Sequence, residues 1–296
     1  MFSRTEGECL LVKYKMPHDE VRDVILPTGT FGSLDKVRER LGGIGLVLDN
    51  QKLWARVVDY MSKWTIYLQN YDRAEEMRSQ LGWTEDHKSF VVGNIEIKDD
   101  GTEVATAESP YVRNISRWMR KQGTYETWQK AANMLNTPSL EIHAFVMLCG
   151  LGSTLMRLTS TSGASISLTG KSGAAKTGAL FSAIGLWGNP KELCLAGDKK
   201  DGATDNGLIG RYLGLHSIPL GIDEVTNLKA EDVSRLIHKI SQGKAKVRMQ
   251  SSVNAERETE VSASLIGLFT SNEPLMQKLK NEKVAPEGES ARLIEI

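Results

Sequence analysis

The chain has 296 residues, which by the usual size of protein domains favours two compact units. Its 40% of apolar and 25% of charged residues argue against disorder, and its 37 basic and 37 acidic residues cancel, so no global positive field indicates nucleic-acid binding. The longest apolar stretch, around residues 143–156, is too short and interrupted to span a bilayer, and the amino terminus lacks a signal-peptide layout, so we expect a cytoplasmic protein without a membrane partner.

The cysteines and histidines do not indicate a disulfide framework or a zinc site. The cysteines are far apart, as in proteins of a reducing compartment, and none of the five histidines shows ligand spacing. We expect the cysteines to be small apolar side chains of the interior: Cys9, Cys149 and Cys194.

The first elements of the chain are small. Residues 8–26 alternate apolar and polar side chains around a turn at 16–19, which predicts a β-hairpin. Ser33 is a candidate N-cap of a helix that runs through Leu41 and stops at two glycines.

A longer helix and a second hairpin follow. Helical spacing of apolar residues covers 52–70, and residues 81–106 predict two strands turned at Asp99-Asp100-Gly101. We therefore expect residues 1–112 to form a separate, smaller α+β domain.

The rest of the chain, residues 113–296, has the pattern of an α/β unit. Two helices are predicted over 116–135 and 139–156. Strands and helices then alternate, which predicts a parallel sheet, and we found no repeat or low-complexity linker.

A glycine-rich loop lies between a strand and a helix of this unit. The strand is predicted at Ser165–Leu168, and an apolar periodic helix follows the loop. This context matches a P-loop, in which backbone N–H groups and a helix amino end surround phosphates, a lysine reaches the β and γ phosphates, and a hydroxyl binds Mg²⁺. The candidate nucleotide-binding residues are Gly170, Lys171, Ser172, Gly173, Ala174, Ala175, Lys176 and Thr177, with Lys176 for the phosphates and Thr177 for the metal.

One position departs from the usual P-loop pattern. The residue before the lysine is normally glycine, and here it is Ala175. An alanine fits there if its φ is negative. A small-residue turn with an incidental lysine is the competing interpretation.

A pair of acids follows the next apolar strand. The segment Ile218–Glu224 ends in Asp223 and Glu224, with Pro219 placed at the strand start because proline cannot donate to a central ladder. In Walker B motifs the aspartate holds the Mg²⁺ shell and the following glutamate polarises the attacking water. The alternative is a strand that ends in a polar loop.

Two further residues follow a third strand predicted at Ser264–Ser271. Asn272 comes directly after it, where a P-loop ATPase needs a group that orients water or senses the γ-phosphate. Arg292 precedes another apolar strand and is a candidate arginine finger acting on a neighbouring subunit, although a surface arginine remains the alternative.

A basic hairpin is predicted between the acid pair and Asn272. Its first strand carries Lys244, Lys246 and Arg248, which could hold DNA phosphates in the channel of a ring. A solvated basic face is the alternative, and three nearby glutamates weaken the positive charge.

The motifs in this order resemble two related groups. The loop, the acid pair, LFTSN and Arg292, with KVR before the third motif, resemble the superfamily 3 helicases of viral replication initiators. The segments LGWTEDHKSFVV, ETWQKAANML, GKSGAAKT and SQGKAKVR resemble the domain-of-unknown-function 927 family of phage and plasmid primase-helicases, over nearly the whole chain.

The resemblance implies an α/β P-loop ATPase core of the AAA+ or superfamily 3 helicase type, preceded by the smaller α+β domain. It implies ATP and Mg²⁺ as ligands, ATPase roles for the loop lysine and threonine, the acid pair and the asparagine, and a homo-hexameric ring moving on single-stranded DNA during phage or plasmid replication. It also implies that a primase or polymerase module lies outside this chain, and that a phage protein would work in the bacterial cytoplasm.

Two other functions fit parts of the pattern. Lys171 followed by the loop lysine fits the deviant Walker loop of nucleotide-switch ATPases, in which a second lysine crosses a dimer. A loop degenerated at Ala175 fits a nucleotide-binding scaffold without turnover.

Overall fold

The computed structural model describes residues 2–3, 7–15, 18, 20–71, 77–197, 205–243, 249–250, 255–256, 262–282 and 287–296. Its strands are β1 (Phe2–Ser3), β2 (Gly7–Lys15), β3 (Val21–Pro27), β4 (Met77–Arg78), β5 (Gly82–Trp83), β6 (Ser89–Val92), β7 (Ile95–Lys98), β8 (Glu103–Ala105), β9 (Ala107–Glu108), β10 (Gly163–Thr169), β11 (Leu195–Ala196), β12 (Leu220–Asp223), β13 (Met249–Gln250), β14 (Ala255–Glu256), β15 (Leu265–Ser271) and β16 (Leu293–Glu295). Its α-helices are α1 (Leu34–Gly43), α2 (Gln51–Tyr71), α3 (Pro110–Ser116), α4 (Tyr125–Asn133), α5 (Glu141–Gly152), α6 (Lys176–Ile184), α7 (Pro190–Leu193), α8 (Asp205–Leu215), α9 (Ala230–Gln242), α10 (Leu275–Asn281) and α11 (Glu287–Ser290). Within these ranges, no helix combines the length and the apolar character that a bilayer crossing requires.

The chain divides into two compact units, one of Met1–Ser79 with Thr106–Pro110 and one of Gln80–Ala105 with Tyr111–Ile296. This division differs from the boundary expected near residue 112, because strands β5 to β8 lie with the larger unit. Hydrogen bonds from one backbone N–H and one side-chain amide just before β5, which the sequence does not reveal, hold this segment to the larger unit. The Leu81 N–H donates to the Gly214 carbonyl at 2.8 Å, and the Gln80 amide donates to the carbonyls of Leu213 and Ser262 at 2.8 and 2.7 Å.

The smaller unit is built on the predicted hairpin. Strands β2 and β3 pair antiparallel from Cys9↔Pro27 to Lys15↔Val21, and β1 adds a third strand. Helices α1 and α2 lie where the apolar spacing predicts them, although α1 continues through both glycines expected to stop it. Their apolar faces share a core with β3: Leu26, Val37, Leu41, Trp54 and Met61.

A four-stranded antiparallel sheet, in the order β5-β6-β7-β8, opens the larger unit. The predicted turn at Asp99-Asp100-Gly101 joins β7 to β8, and Gly101 has φ +81°, which glycine adopts without strain. Four strands form instead of the two predicted, because the segments before this turn pair with each other in short ladders.

The single helix predicted over 116–135 is wrong. Helix α3 ends at Ser116 and α4 begins only at Tyr125. Gly123 between them has φ +76°, and the Thr124 side chain accepts a hydrogen bond from the Thr127 N–H, which starts the new helix. The second predicted helix forms as α5 and continues as a 3-10 helix through Leu158.

The core of the larger unit is a five-stranded sheet in the order β11-β12-β15-β10-β16, and every neighbouring pair is parallel. The middle strand β15 is buried at all seven residues, as expected for a sheet strand covered on both faces. Pro219 lies just before β12, as predicted. The carboxyl ends of β10, β12 and β15 meet at one edge of the sheet.

Candidate functional site

The loop after β10 turns sharply before α6 begins. Gly173 has φ +88°, and Ala175, the N-cap of α6, has φ 56° and ψ 23°. The condition of a negative φ at Ala175 is therefore not met. A residue with a Cβ in this left-handed conformation is strained by about 1–2 kcal/mol. The loop therefore has, at Ala175, a backbone conformation that suits the glycine of the usual P-loop pattern better than an alanine.

Lys176 is the first residue of α6, and its ammonium group lies over the loop. It donates to the carbonyl oxygens of Gly170 at 2.7 Å and Lys171 at 3.0 Å, and to Asn272 Oδ1 at 3.0 Å. An ammonium group has three N–H donors, so these contacts fix its position fully. The lysine therefore connects the loop to the carboxyl end of β15.

Thr177 faces the acid at the end of β12. Its hydroxyl lies 3.0 and 3.2 Å from the two oxygens of the Asp223 carboxylate. Hydroxyl and carboxylate oxygens are ligands that Mg²⁺ accepts alongside water and phosphate. This pair could hold a divalent metal, and in the described part of the chain no cluster of three or more His, Cys, Asp or Glu side chains offers another site.

Thr270, in β15, positions both acids, and the sequence did not point to it. Its hydroxyl donates to Asp223 Oδ1 at 2.6 Å and accepts the Glu224 N–H at 2.7 Å. The side chain is buried. Its hydroxyl, beside that of Ser271 at the end of a strand that is otherwise apolar, LIGLFTS, was the available signal, because a buried polar group needs partners.

Glu224 has an unusual backbone and one unpaired oxygen. Its φ is 59° and its ψ 67°. Oε2 accepts a hydrogen bond from Asn272 Nδ2 at 2.7 Å, whereas the buried Oε1 has no hydrogen-bond partner. Gly197 supports this turn: its N–H donates to the Asp223 carbonyl at 2.8 Å, and a Cβ there would come within 2.3 Å of the Glu224 carbonyl oxygen.

Asn272 makes hydrogen bonds to several residues of the cleft. Its amide oxygen meets Lys176, its amide nitrogen meets Glu224, and its backbone N–H donates to the Thr226 hydroxyl at 2.8 Å. One short side chain thus spans the loop lysine and the second acid.

These groups surround a cleft of about 300 Å³. Its walls are Ser172, Gly173, Ala174, Ala175, Lys176, Thr177, Glu224, Thr270 and Asn272. Beside it, burial and the negative charge of Asp223 raise the pKa of the Cys194 thiol to about 12, so this cysteine stays protonated and takes no part as a thiolate.

A family model described as Domain of unknown function (DUF927) matches residues 2–260. The chain belongs to this family. No curated protein matches the sequence.

Solved structures resemble the DUF927 chain in fold. The SCCmec type IV Cch active helicase matches it with a TM-score of 0.64 and 16% identity, over 98% of this chain and 54% of that one. The A-form apo structure of the NrS-1 C-terminal region matches with a TM-score of 0.35 and 11% identity, over 92% of this chain and 53% of that one. The DUF927 chain therefore has a mixed α/β fold with a parallel sheet that is found in a helicase, and it spans about half the length of that helicase.

Two groups of predicted residues are not brought to the cleft of the DUF927 chain. Arg292 precedes β16, whose first residue pairs with Ser165 near the start of β10, so it lies toward the opposite end of the strands. Its side chain donates to the Gly288 carbonyl. The predicted DNA-contacting residues Lys244, Lys246 and Arg248 lie outside the described residues, next to a short hairpin of β13 and β14, which pairs Met249 with Glu256.

Proposed function

We propose that this chain is the ATP-hydrolysing motor part of a DNA helicase or translocase of phage or plasmid replication, working as a homo-oligomeric ring. The observation that carries the proposal is the convergence of three separate segments on one cleft: Lys176 and Thr177 at the start of α6, Asp223 and Glu224 at the end of β12, and Asn272 after β15. A helicase fold over 98% of the chain supports the class of protein.

The roles follow from the contacts. The backbone N–H groups of the loop and the amino end of α6 suit phosphate oxygens, and the Lys176 ammonium is close enough to exchange its carbonyl partners for them. Thr177 and Asp223 would hold Mg²⁺, which supplies charge neutralisation on the phosphates when bound.

Glu224 is suited to orient and deprotonate the attacking water. Glu224 lines the cleft, and Asn272 holds its Oε2 so that the carboxylate cannot rotate freely. Arg292, far from its own cleft, would serve a neighbouring subunit, and the basic residues before β13 would contact DNA.

The test is ATP hydrolysis by the wild type with and without single-stranded DNA, beside the Glu224→Gln variant. We expect DNA to stimulate the wild type, and Glu224→Gln to bind ATP normally while its turnover falls by a factor of about 100 or more, because the amide cannot take a proton. Glu273→Gln, which changes the exposed acid immediately after Asn272, is the matched control and should remain active.

The outcomes separate the alternatives. Normal turnover by Glu224→Gln would show that another group is the base. ATP binding by the wild type without turnover would favour the scaffold, and dimers formed only with ATP and dependent on Lys171 would favour the nucleotide switch.

A further inference from the structure

Helix α4 has favourable capping and end charges but buries none of its side chains. Thr124 caps its amino end, Glu126 lies in its first turn and Lys130 in its last, which suits the helix dipole. None of its nine residues is buried. Helices this short are marginal without tertiary packing, so α4 is expected to find a surface to pack on.

The helix carries a stripe made for such packing. Tyr125, Trp128 and Ala132 follow each other at spacings of three and four, which places them on one face of α4, and Leu135 follows in the turn just after the helix. Tyr125 is 66% exposed and Trp128 40%, and their rings lie 5.7 Å apart. The polar side chains of the helix occupy the other positions.

A second apolar surface lies on α5 and the 3-10 helix that follows it. We call it the α5 ridge: Ile142, Phe145, Leu148, Leu151, Leu155 and Leu158, each between 43% and 59% exposed. Members three residues apart are neighbours on a helix surface, so the four ridge residues of α5 form a continuous row, which turns about 60° around the helix at each step. Six half-exposed side chains make an apolar area on the order of 500 Å², which is at the upper range for one patch on a monomer.

The ridge is not the surface through which α5 packs into the core of its own unit. Residues of α5 that flank the ridge already pack on α6: Val146 and Cys149 are buried, and a Cβ at Gly150 would come within 2.8 Å of the Ala183 carbonyl oxygen. The α4 stripe and the α5 ridge are both apolar, and Tyr125, Trp128 and the ridge side chains stay between 40% and 66% exposed.

We propose that α4 of one copy of this chain docks on the α5 ridge of a second copy. The two surfaces differ, so the contact is head-to-tail. Each pair of copies then keeps one free α4 stripe and one free α5 ridge, to which further copies can bind until a ring closes. One stripe against one ridge buries on the order of 1,000 Å² in total, about what a specific interface needs. The inference names the surfaces of the self-association in the proposed function and rests on that part of it.

The contact would also lie close to the cleft. Helix α5 packs on α6, and α6 begins with Lys176 and Thr177. A docked copy is therefore one helix away from the residues proposed to hold phosphate and metal.

Mixed cross-linking tests the proposal. Chains with Trp128→Cys and chains with Leu148→Cys are combined and treated with a short bismaleimide. Cys9 and Cys149 are buried, and the pKa of Cys194 is raised to about 12, so the new thiols react first. We expect cross-linked dimers in the mixture at several times the yield of either variant alone, and no such gain when Val104→Cys, also at an exposed apolar position, replaces Trp128→Cys.

Two results would overturn it. One is a mixture that yields no more dimer than its components. The other is a double variant, Trp128→Cys with Leu148→Cys, that cross-links within single chains at high dilution, because α4 would then cover its own α5.

A second measurement separates this inference from the proposed function. The mass in solution should fall to that of the monomer for Leu148→Glu and stay at the wild-type value for Val104→Glu, while a fluorescent ATP analogue binds both. A wild-type mass for Leu148→Glu would contradict the docking. Wild-type chains that assemble but bind no ATP analogue would contradict the nucleotide site and leave the docking intact.

Discussion

Ala175 holds the loop in a conformation that alanine avoids. Its φ of 56° places the Cβ against its own backbone, whereas the preceding Ala174 has a negative φ. We predict that Ala175→Gly raises the free energy of unfolding by about 0.5–1 kcal/mol, since relief of strain exceeds the extra entropy of glycine in the unfolded chain. Urea unfolding measures it.

Ala174→Gly is the matched control for that change. It alters the same loop by the same atom, but removes no strain, so we expect it to lower the free energy of unfolding by about 0.5 kcal/mol. Equal shifts for the two variants would mean that the strain at Ala175 is not felt.

For single residues, the sequence indicated which side chains lie at the cleft better than it indicated their backbone conformations. Lys176, Thr177, Asp223 and Asn272 were expected to lie together because the motif order places them after strands whose ends meet at one edge of a parallel sheet; they do lie together, and their roles stay predictions. The φ of Ala175 and of Glu224 follows from tertiary contacts and no local pattern indicates it. Thr270 escaped because its role depends on which strand lies beside β12.

The turn between α8 and β12 contains a buried histidine. His216 is 4% exposed, with φ 52°, and its Nδ1 lies 2.8 Å from the Ser262 carbonyl oxygen, to which it donates. Burial, assisted by the nearby charges of Arg157 and His87, lowers the pKa of His216 to about 4.

This burial predicts an acid-sensitive fold. The unfolded chain takes up a proton at His216 near pH 6.5 and the folded chain does not until about pH 4, so stability is full above pH 6.5 and falls as the pH drops through that window. At pH 5 we expect this side chain alone to cost about 2 kcal/mol relative to pH 7.5.

The His216→Asn variant isolates that effect. Asparagine tolerates positive φ and can donate to the same carbonyl, but does not titrate. The free energy of unfolding of the wild type should therefore fall more steeply than that of the variant between pH 7.5 and 5, and parallel profiles would refute the assignment to His216.

Elements with strong periodicity were predictable, and their ends were not. The hairpin of β2 and β3, helix α2 and strand β15 formed as predicted. The helix predicted over 116–135 failed because apolar residues at helical spacing continue across Gly123, whose left-handed φ and whose neighbour Thr124 divide the segment. The placement of β5 to β8 in the larger unit depends on partners more than a hundred residues away, beyond any local signal.

For the whole molecule, the separation of Arg292 from the cleft makes a prediction about assemblies. Arg292 lies near the start of the strands and Asp223 at their end, so under the proposed function one chain would not place both on the same ATP. The Arg292→Ala variant should lack the arginine finger, and the Lys176→Ala variant should fail to bind the nucleotide. Each variant alone should therefore not hydrolyse ATP.

Mixed in equal amounts, those two variants should recover ATP hydrolysis. A random ring places an intact cleft beside an intact arginine at roughly a quarter of its contacts, so we expect roughly a quarter of wild-type activity. Steady-state ATPase assays of the mixture and of each variant measure it, and a mixture no more active than the sum of its parts would contradict a finger acting between chains.

Strand β10, which precedes the glycine-rich loop, pairs with two strands, β15 and β16, that are synthesised much later. Gly163 meets Leu265, and Ser165 meets Leu293, so during synthesis β10 leaves the ribosome roughly a hundred residues before either neighbour. Until then Ile166 and Leu168, buried in the finished sheet, remain uncovered and can join other nascent chains. We therefore expect the sheet to fold slowly and to depend on chaperones in the cell, with helices α5 and α6 pairing earlier because little chain separates them.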